Sequence, residues 1–489
     1  MHNSNKKTTA IVLVIVLTFV GIIAYYKMAK TRLVDKANYT SFREQLVSKS
    51  TSFKSNSDLK KFIESETAKD KVLFITDEYG NIIITRTASD VTAPATVVVA
   101  DYNYKTAKID ADALATLHEV STSKTTGGSV IAIFLNNDNN EHSGVKNINS
   151  TYIPANSNVV YVSSGKKLYI SNNSFASGMS DVSIPYTTEA RTQNTGIKIK
   201  ISDIQTDNPS SYISQQPDVF DVFSTIVAKY KNKSVSYQVA DIKVGNNGNM
   251  YPSSLEFTLL LDSYNLEDTK EYFDGQVDRF MKANKKYFPD SKMTYTVITD
   301  ESKLPDTVIS QQTIDYLTTY LYIDKNSNYR FSDDDKIPAK YSNGDVYATN
   351  TIEQLYVEGD TLHLTMNTTG VTDKYRDQVM KDNASAASLS GLEISTYDLY
   401  SAFSNKKQKL STDLSALYSN VNDKGAQTMV IPLDKDQKFT TMSILNSIQS
   451  KANITHINLN DDDLNAGIKV TNTILNYVNS YTKSGLLNF

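Results

Sequence analysis

The 489-residue sequence contains no cysteine and no tryptophan, and it has only five histidines. The absence of cysteine excludes disulfides, thiolate metal ligands and cysteine nucleophiles. The formal net charge of -4 gives no basic footprint of the kind that nucleic-acid-binding domains carry. We therefore expect a globular protein that binds no nucleic acid, on a chain long enough for two or three domains of roughly 150 residues each.

One long uncharged run, AIVLVIVLTFVGIIAYY, occupies residues 10–26 and has basic residues on both sides. Its length lies at the short end of the range of about 17 to 25 residues for membrane-spanning helices. The alternative is a cleaved signal peptide, but no small-residue cleavage site follows Gly21. We predict an uncleaved single-pass anchor at 10–26 behind a short tail at 1–9. The domain that follows is expected outside a bacterial cell membrane.

The residues after the anchor have the pattern of an α/β domain. Helical spacing of apolar residues predicts two amphipathic helices between residues 28 and 69, separated around 50–57. Short β-rich runs then indicate a buried sheet. These runs are 72–75, 82–85, 97–99, 130–135 and 159–162. Beyond the middle of the chain we predict a short strand at 429–433 and a final helix at about 470–481.

The middle of the chain has a clearer order. Alternating isoleucines at 197, 199 and 201 predict a strand, and Pro217 opens a helix with Phe220 and Phe223 on its apolar face. Two further strands, a second helix and a fourth strand follow, up to Val297. The order β-α-β-β-α-β predicts a ferredoxin-like unit.

Three stretches add a family resemblance to this order: DEYGNIII at 77–84, NNGNMYPSSLEFTLLLDS at 246–263 and NYRFSDDD at 328–335. Together they resemble the zinc-dependent exopeptidases that include aminoacyl-histidine dipeptidase, from about Tyr39 to the C-terminus. The resemblance implies an α/β, phosphorylase/hydrolase-like domain at 27–190 and 385–489. It also implies an inserted ferredoxin-like α+β lid domain at 191–384.

The resemblance also indicates where a two-metal site would lie, and the residues there differ from the family's. After the strand IAIFL the family has a catalytic glutamate and a glutamate ligand, where this chain has Asp138 and Asn139. Asp101 and Asn103 stand for the family's first His and Asp ligands. Ser164 stands for a later aspartate ligand, and Asn460 lies near the final histidine ligand.

The lid positions implied by the resemblance are changed in the same way. Asn208 stands where the family has a substrate-contacting histidine, and Asn367 or Ser253 stands for a substrate-binding arginine. Asn249 is retained from the lid motif, with Tyr251 close by. Asn208, Asn249, Tyr251 and Asn367 are therefore the candidate residues lining a cleft.

Two divalent cations need several carboxylates or imidazoles as ligands, and the aligned positions offer mainly amides and hydroxyls. We therefore interpret the chain as a pseudoenzyme that binds no metal or other cofactor. Its ligand would be a peptide, cell-envelope material or a partner protein, and the resemblance implies a homodimer through the lid. The alternative is a divergent hydrolase in which Asp101, Asp138, Glu141 and His142 rebuild a weaker zinc or manganese site.

Two other patterns have a simpler structural interpretation. The stretch DKNSNYRFSDDD at 324–335 resembles a calcium loop, but Tyr329 occupies the position where such a loop needs glycine. A structural turn is therefore the prediction there. His118 lies in a helical pattern and His363 in a strand pattern, so both are interpreted as structural residues.

Overall fold

The structure is a computed structural model of the chain. It describes residues 33–88, 94–123, 128–138, 142–165, 168–204, 217–232, 235–245, 252–333, 336–337, 341–404, 409–421, 440–461 and 463–480. The predicted anchor at 10–26 and the predicted strand at 429–433 lie outside these ranges. Within them, every helix is too short or too polar to span a bilayer.

The described helices and strands alternate along most of the chain. The helices are α1 (Lys36–Lys49), α2 (Asn56–Lys69), α3 (Ala111–Thr122), α4 (Ser143–Lys146), α5 (Val219–Asn232), α6 (Leu266–Asn284), α7 (Gln311–Ile323), α8 (Asp373–Leu389), α9 (Lys409–Val421), α10 (Thr440–Ile448) and α11 (Leu464–Ser480). The strands are β1 (Ile75–Thr76), β2 (Ile82–Arg86), β3 (Thr96–Tyr102), β4 (Val130–Asn136), β5 (Asn158–Gly165), β6 (Tyr169–Ser171), β7 (Asn173–Ser174), β8 (Ala176–Pro185), β9 (Thr188–Ala190), β10 (Thr195–Ser202), β11 (Tyr237–Gly245), β12 (Ser254–Leu261), β13 (Lys292–Ile298), β14 (Thr307–Ile309), β15 (Ser327–Arg330), β16 (Val346–Glu358), β17 (Thr361–Gly370), β18 (Glu393–Tyr400), β19 (Phe403–Ser404) and β20 (Asn453–Asn460).

The chain divides into two compact units, of which the first comprises Met1–Asn172, Asn405–Met429 and Ile448–Phe489. Its seven-stranded sheet has the order β1-β2-β4-β3-β5-β20-β6. The four strands β4, β3, β5 and β20 are parallel, and β2 and β6 flank them antiparallel. The strands β3 and β4 are nearly continuous apolar runs because both faces of such a sheet are covered by helices.

The helices and strands of this unit agree with most of the sequence predictions. The two N-terminal helices are α1 and α2, and Tyr39, Phe42 and Ile63 bury their side chains in the core. The predicted strand at 72–75 is wrong for residues 72–74, because only Ile75 and Thr76 pair with β2 at the edge of the sheet. The final helix is α11, which begins at Leu464, earlier than predicted.

The second unit comprises Asn173–Ser404 and Val430–Ser447, and it contains the predicted β-α-β-β-α-β order. Its six-stranded sheet runs β13-β10-β12-β11-β14-β9, so the first four strands have the ferredoxin-like arrangement. Ile197, Ile199 and Ile201 all point into the core, together with Phe220 and Phe223 of α5. The ferredoxin-like prediction is therefore confirmed.

A five-stranded sheet of order β15-β16-β17-β8-β18 also belongs to the second unit. Its strands are antiparallel, and one face packs Leu362, Leu364 and Met366 into the core. The opposite face carries polar and partly exposed side chains. This alternation follows from the two-residue period of a strand with one buried face.

The stretch that resembles a calcium loop begins with a carboxylate that is already bonded inside the fold. Asp324 is 7% exposed, and it accepts hydrogen bonds from the Tyr320 hydroxyl at 2.7 Å and from Asn350 Nδ2 at 3.0 Å. Burial raises the pKa of this carboxyl group. Asp324 therefore has a structural role, as predicted.

His118 of α3 is buried in the first unit. Its ring stacks on Phe42 with 4.2 Å between the ring centroids, and Asp70 Oδ2 lies 3.4 Å from its Nε2. Burial lowers the pKa of His118 to about 4, so the imidazole is neutral at physiological pH. Its surroundings support the interpretation of His118 as a structural residue.

Helix α11 passes close to α1 at a glycine. Gly467 faces the hydroxyl of the buried Tyr39, and a Cβ at that position would collide with it. The Tyr39 hydroxyl cannot move away easily, because it donates to Asp112 Oδ1 at 3.0 Å and Arg43 Nε donates to the same oxygen at 2.7 Å. The α1–α11 contact therefore requires glycine.

We predict that Gly467→Ala lowers the free energy of unfolding by about 1–3 kcal/mol through overpacking, as measured by chemical denaturation. The Tyr39→Phe background removes the colliding oxygen, so the same substitution should cost less there. Gly275→Ala in α6 is the control, because its Cβ would meet open space and alanine favours a helix by up to about 1 kcal/mol. Equal costs of Gly467→Ala in both backgrounds would contradict this explanation.

Candidate functional site

The carboxyl ends of the four parallel strands of the first unit lie at one edge of the sheet. Asp101 pairs in register with Leu135 of β4, and Asn460 of β20 pairs with Gly165 of β5. In sheets of this kind, ligands bind outside the carboxyl ends of the strands. Five candidate residues lie at or just after these ends, so this edge is the candidate site. They are Asp101, Asn103, Asp138, Ser164 and Asn460.

Asp101 is the partly buried carboxylate of this edge. Its Oδ2 accepts a hydrogen bond from the hydroxyl of Tyr161 on the neighbouring strand β5, at 2.8 Å. Asp138, which follows β4, is exposed. These two carboxylates therefore have different surroundings, one bonded across the sheet and the other facing solvent.

Asn103 uses its side chain to close the turn after β3. It is 3% exposed, its Nδ2 donates to the carbonyl of Asn137 at 2.7 Å, and its Oδ1 accepts from the amide of Lys105 at 2.9 Å. The nitrogen and the oxygen of the Asn103 side chain thus each bond a backbone group. The residue joins the ends of β3 and β4.

Ser164 has a comparable role at the start of α3. It is fully buried, and its Oγ accepts a hydrogen bond from the amide of Ala113 at 3.0 Å. The first amides of a helix have no partner within the helix, so this hydroxyl replaces a local N-terminal cap. Asp110, the residue before α3, makes no such side-chain capping bond.

Asparagines dominate the end of β4 because they form a network with neighbouring turns. Asn136 Oδ1 accepts from Asn56 Nδ2 at 2.7 Å, and Asn136 Nδ2 donates to the carbonyl of Tyr79 at 2.8 Å. Asn81 Oδ1 accepts from the backbone amide of Asn136 at 3.0 Å, and Asn81 Nδ2 donates to the backbone carbonyl of Gly144 at 3.0 Å. The amides therefore connect β4 with the β1–β2 turn, α2 and α4.

The DEYGN stretch supplies the turn in this network. Asp77 Oδ1 accepts from the amides of Tyr79 and Asn81, and Gly80 has a φ of +86°. A positive φ of this kind favours glycine over other residues. The Tyr102 hydroxyl donates to the Gly80 carbonyl at 2.7 Å, and burial raises the pKa of Tyr102 well above its usual value.

Sequence reasoning assigned no role to the buried group formed by Ser163, His456 and Asn458. The Ser163 hydroxyl donates to Asn458 Oδ1 at 2.7 Å and lies 2.7 Å from His456 Nε2. A hydroxyl has one proton, so this network assigns the proton between Ser163 and His456 to Nε2 of the imidazole. His456 also stacks on Tyr161 with 4.9 Å between the ring centroids.

This arrangement does not activate Ser163 as a nucleophile. A general base would have to accept the serine proton, but here the imidazole nitrogen is the donor. Ser163 is 4% exposed and His456 is fully buried, so a substrate does not reach them. The only sequence signal for this group is the presence of polar residues inside two otherwise apolar strands.

The remaining candidate residues are distributed differently. Asn139, Asn208, Asn249 and Tyr251 lie outside the described residues, as does Glu141 of the alternative metal site. Asn367 lies in β17 of the second unit, where it pairs in register with Thr351 and Met179. It is half-buried, and its side chain bonds that of Glu353.

The donor atoms that are described at the strand ends do not fit a two-metal centre. Asn103, Ser164 and Asn460 bring no charge, and two divalent ions require several charged or imidazole ligands. Within the described ranges, no three His, Asp or Glu side chains are grouped closely enough to hold a metal ion. His142 is the imidazole of the alternative metal site. It adopts a φ of +54° before α4, and its backbone amide donates to Asn137 Oδ1 at 3.2 Å.

No protein-family model and no curated protein matches the sequence. Among solved structures, the chain is similar to aminoacylhistidine dipeptidase from Vibrio alginolyticus, with a TM-score of 0.55 and 11% identity over 94% of this chain and 99% of that chain. A tripeptidase from Staphylococcus aureus gives a TM-score of 0.49 and 9% identity over 91% and 98% of the two chains. Aminopeptidase PepT from Bacillus cereus gives 0.48 and 9% over 91% and 99%.

The similarity to the dipeptidase extends over nearly the whole length of both chains. The protein therefore has a mixed α/β fold of the dipeptidase type, as the sequence resemblance implied. At 11% identity this likeness establishes the fold and not the activity.

We predict that Ser163→Ala lowers the free energy of unfolding by about 1–3 kcal/mol, because it removes the buried hydroxyl that bonds His456 Nε2 and Asn458 Oδ1. Chemical denaturation measures this cost, and Ser395→Ala at an exposed position of β18 is the matched control. A fluorophosphonate probe should not label Ser163 in the folded protein. Labelling that disappears in Ser163→Ala would show that the serine is a nucleophile.

Proposed function

We propose that this protein is a binding or scaffolding protein on a dipeptidase fold, without the metal-dependent chemistry of a peptidase. The main support is the use of the strand-end side chains by the scaffold itself. The Asn103 side chain bonds one backbone carbonyl and one backbone amide, and the Ser164 hydroxyl accepts from another backbone amide. The Tyr161 hydroxyl donates a hydrogen bond to Asp101. A metal ligand needs its lone pairs directed at the ion, whereas these atoms are engaged in the fold.

The bound partner is proposed to be a peptide, cell-envelope material or another protein. The strand-end edge offers the partly exposed amides of Asn137 and Asn460, which recognise polar ligands by hydrogen bonds without strong charge. Asn208, Asn249, Tyr251 and Asn367 remain the proposed cleft-lining residues. No cofactor is required for this role.

The rival proposal is a divergent hydrolase that holds zinc or manganese through Asp101, Asp138, Glu141 and His142. Its basis is the dipeptidase-type fold together with two carboxylates, Asp101 near the end of β3 and Asp138 just after β4. Such an enzyme would lower the pKa of metal-bound water to generate a nucleophile at neutral pH.

One experiment separates the two proposals. The purified full chain is incubated with zinc and manganese, freed of excess ions, analysed for metal, and assayed with alanyl-histidine. We expect no tightly held ion and no hydrolysis, with the Vibrio alginolyticus dipeptidase as the positive control. Retention of ions together with hydrolysis, both lost in Asp101→Asn, would overturn the binding proposal in favour of the hydrolase.

We further propose that residues 10–26 anchor the chain in a cell membrane, with the large domain outside the cytoplasm. We also propose that the protein forms homodimers through its lid. The ferredoxin-like sheet supports the homodimer, because its edge strand β13 presents partly exposed residues. In cell fractionation, the full chain should sediment with membranes, and a chain beginning at Lys27 should not. A monomeric mass of that shorter chain by light scattering would refute the dimer.

A further inference from the structure

A compact group of titratable and aromatic side chains lies on the polar face of the five-stranded sheet in the second unit. It consists of Asp181 of β8, Glu353 and Tyr356 of β16, His363 of β17 and Tyr397 of β18, and it is called the sheet-face cluster below. The two-residue period of each strand directs these side chains away from the core formed by Leu362 and Leu364. The proposal for the strand-end edge of the first unit does not involve this cluster.

The centre of the cluster is a hydrogen-bonded pair of side chains, His363 and Asp181, on neighbouring strands. His363 Nδ1 lies 2.8 Å from Asp181 Oδ2, and each side chain is 17% exposed. Tyr356 stacks on the other side of the imidazole, with 5.0 Å between the ring centroids and 14° between the planes. The His363 ring is thereby fixed, and one face of the tyrosine ring is used.

The other oxygen of Asp181 has no hydrogen-bond donor. Within the described part of the chain, Asp181 Oδ1 is buried and unpartnered. A buried carboxylate oxygen without a donor carries a desolvation cost. The fold therefore compensates the charge of Asp181 only on the side of His363.

Glu353 occupies an irregular position of β16. The register with β17 shifts between Ile352 and Gln354, so Glu353 is the extra residue of a β-bulge. Its side chain is bonded to that of Asn367 and is half-buried. Burial raises the pKa of Glu353 to about 8, so the folded chain prefers its neutral form at pH 7.

The two tyrosines of the cluster are partly exposed. Tyr356 is 41% exposed and Tyr397 is 42% exposed. Burial raises the pKa of Tyr397 to about 12, and the nearby Asp181, Tyr356, Glu353 and Asp398 contribute in the same direction. The carboxylates of Asp181 and Asp398 therefore create a negative potential at this tyrosine.

We propose that the sheet-face cluster binds an organic cation, a protonated amine or a guanidinium group, between the carboxyl groups of Asp181 and Glu353 and against the rings of Tyr356 and Tyr397. The positive charge of such a ligand would compensate the charge of Asp181, whose Oδ1 receives no donor from the fold. Exposed tyrosine rings attract cations through their faces, and carboxylates form charge-assisted hydrogen bonds with them. A metal ion fits less well, because the described residues include no group of three metal-binding side chains.

The proposal has a defined dependence on pH. A bound cation favours the ionised form of Glu353, so binding releases a proton from this carboxyl group below pH 8. Because a proton is released, the affinity for the cation should increase with pH, by at most about tenfold per pH unit. The other titratable groups near the site are Asp181, His363, Tyr356, Glu358, Tyr397 and Asp398.

The test is calorimetric titration of the full chain with two probes at pH 6.5, 7.5 and 8.5. Acetyl-arginine amide represents a peptide side chain, and spermidine represents a free polyamine. Glu353→Gln mimics the neutral carboxyl group that the fold prefers, so this variant should remain folded. It should bind the probes at least about tenfold more weakly, the scale of one lost ion pair at a partly buried site. Glu271→Gln on α6, an exposed acid elsewhere in the same unit, is the matched control and should bind like the wild type.

Asp181→Asn provides a second variant that removes charge without changing side-chain size, and it should also weaken binding. Binding of acetyl-arginine amide would indicate a peptide ligand, whereas binding of spermidine alone would indicate a polyamine, and both support an organic-cation site. The proposal is overturned if neither probe binds the wild type. It is also overturned if binding is unchanged by Glu353→Gln and does not increase with pH.

Discussion

The first unit depends on the satisfaction of backbone groups at the carboxyl ends of its parallel strands. Turns and helix starts meet there, and each leaves amides and carbonyls that need partners when they are buried. Ser164 supplies the partner for the start of α3, Asn103 for the turn after β3, and Asn136 for the β1–β2 turn. A neutral side chain with both donor and acceptor atoms suits this role better than a carboxylate, which accepts only. The amides at this edge therefore stabilise the turns that follow the parallel strands.

The regular elements of the fold are predictable where a periodic pattern reports burial. The isoleucines of β10 alternate, and the apolar residues of α5 recur at helical spacing, so the ferredoxin-like order is visible in the sequence. The five-stranded sheet is harder to recognise, because most residues of β18 are exposed and its pattern of apolar residues is weak. The short strand β1 was also predicted poorly, since at a sheet edge an apolar run need not pair along its whole length.

The location of the candidate site was predictable, but its interactions were not. Asp101, Asn103, Asp138 and Ser164 follow predicted apolar strands, which is enough to place them at strand ends. Asn460 was placed there only by the family resemblance, because polar residues interrupt the sequence of β20. Their partners lie far away in the sequence, and Ser163 and His456 are 293 positions apart. The register of β5 with β20 decides that contact, and no local pattern in either segment specifies the register.

The position of β20 in the first sheet has a consequence for biosynthesis. This strand lies between β5 and β6, yet residues 453–460 are made after the whole contiguous part of the second unit, Asn173–Ser404. During translation, the edge of β5 stays unpaired while more than half of the chain emerges. Most of the second unit is available to fold first, and the sheet of the first unit closes only when nearly all of the polypeptide has left the ribosome. An unpaired apolar edge invites pairing with other chains during that interval.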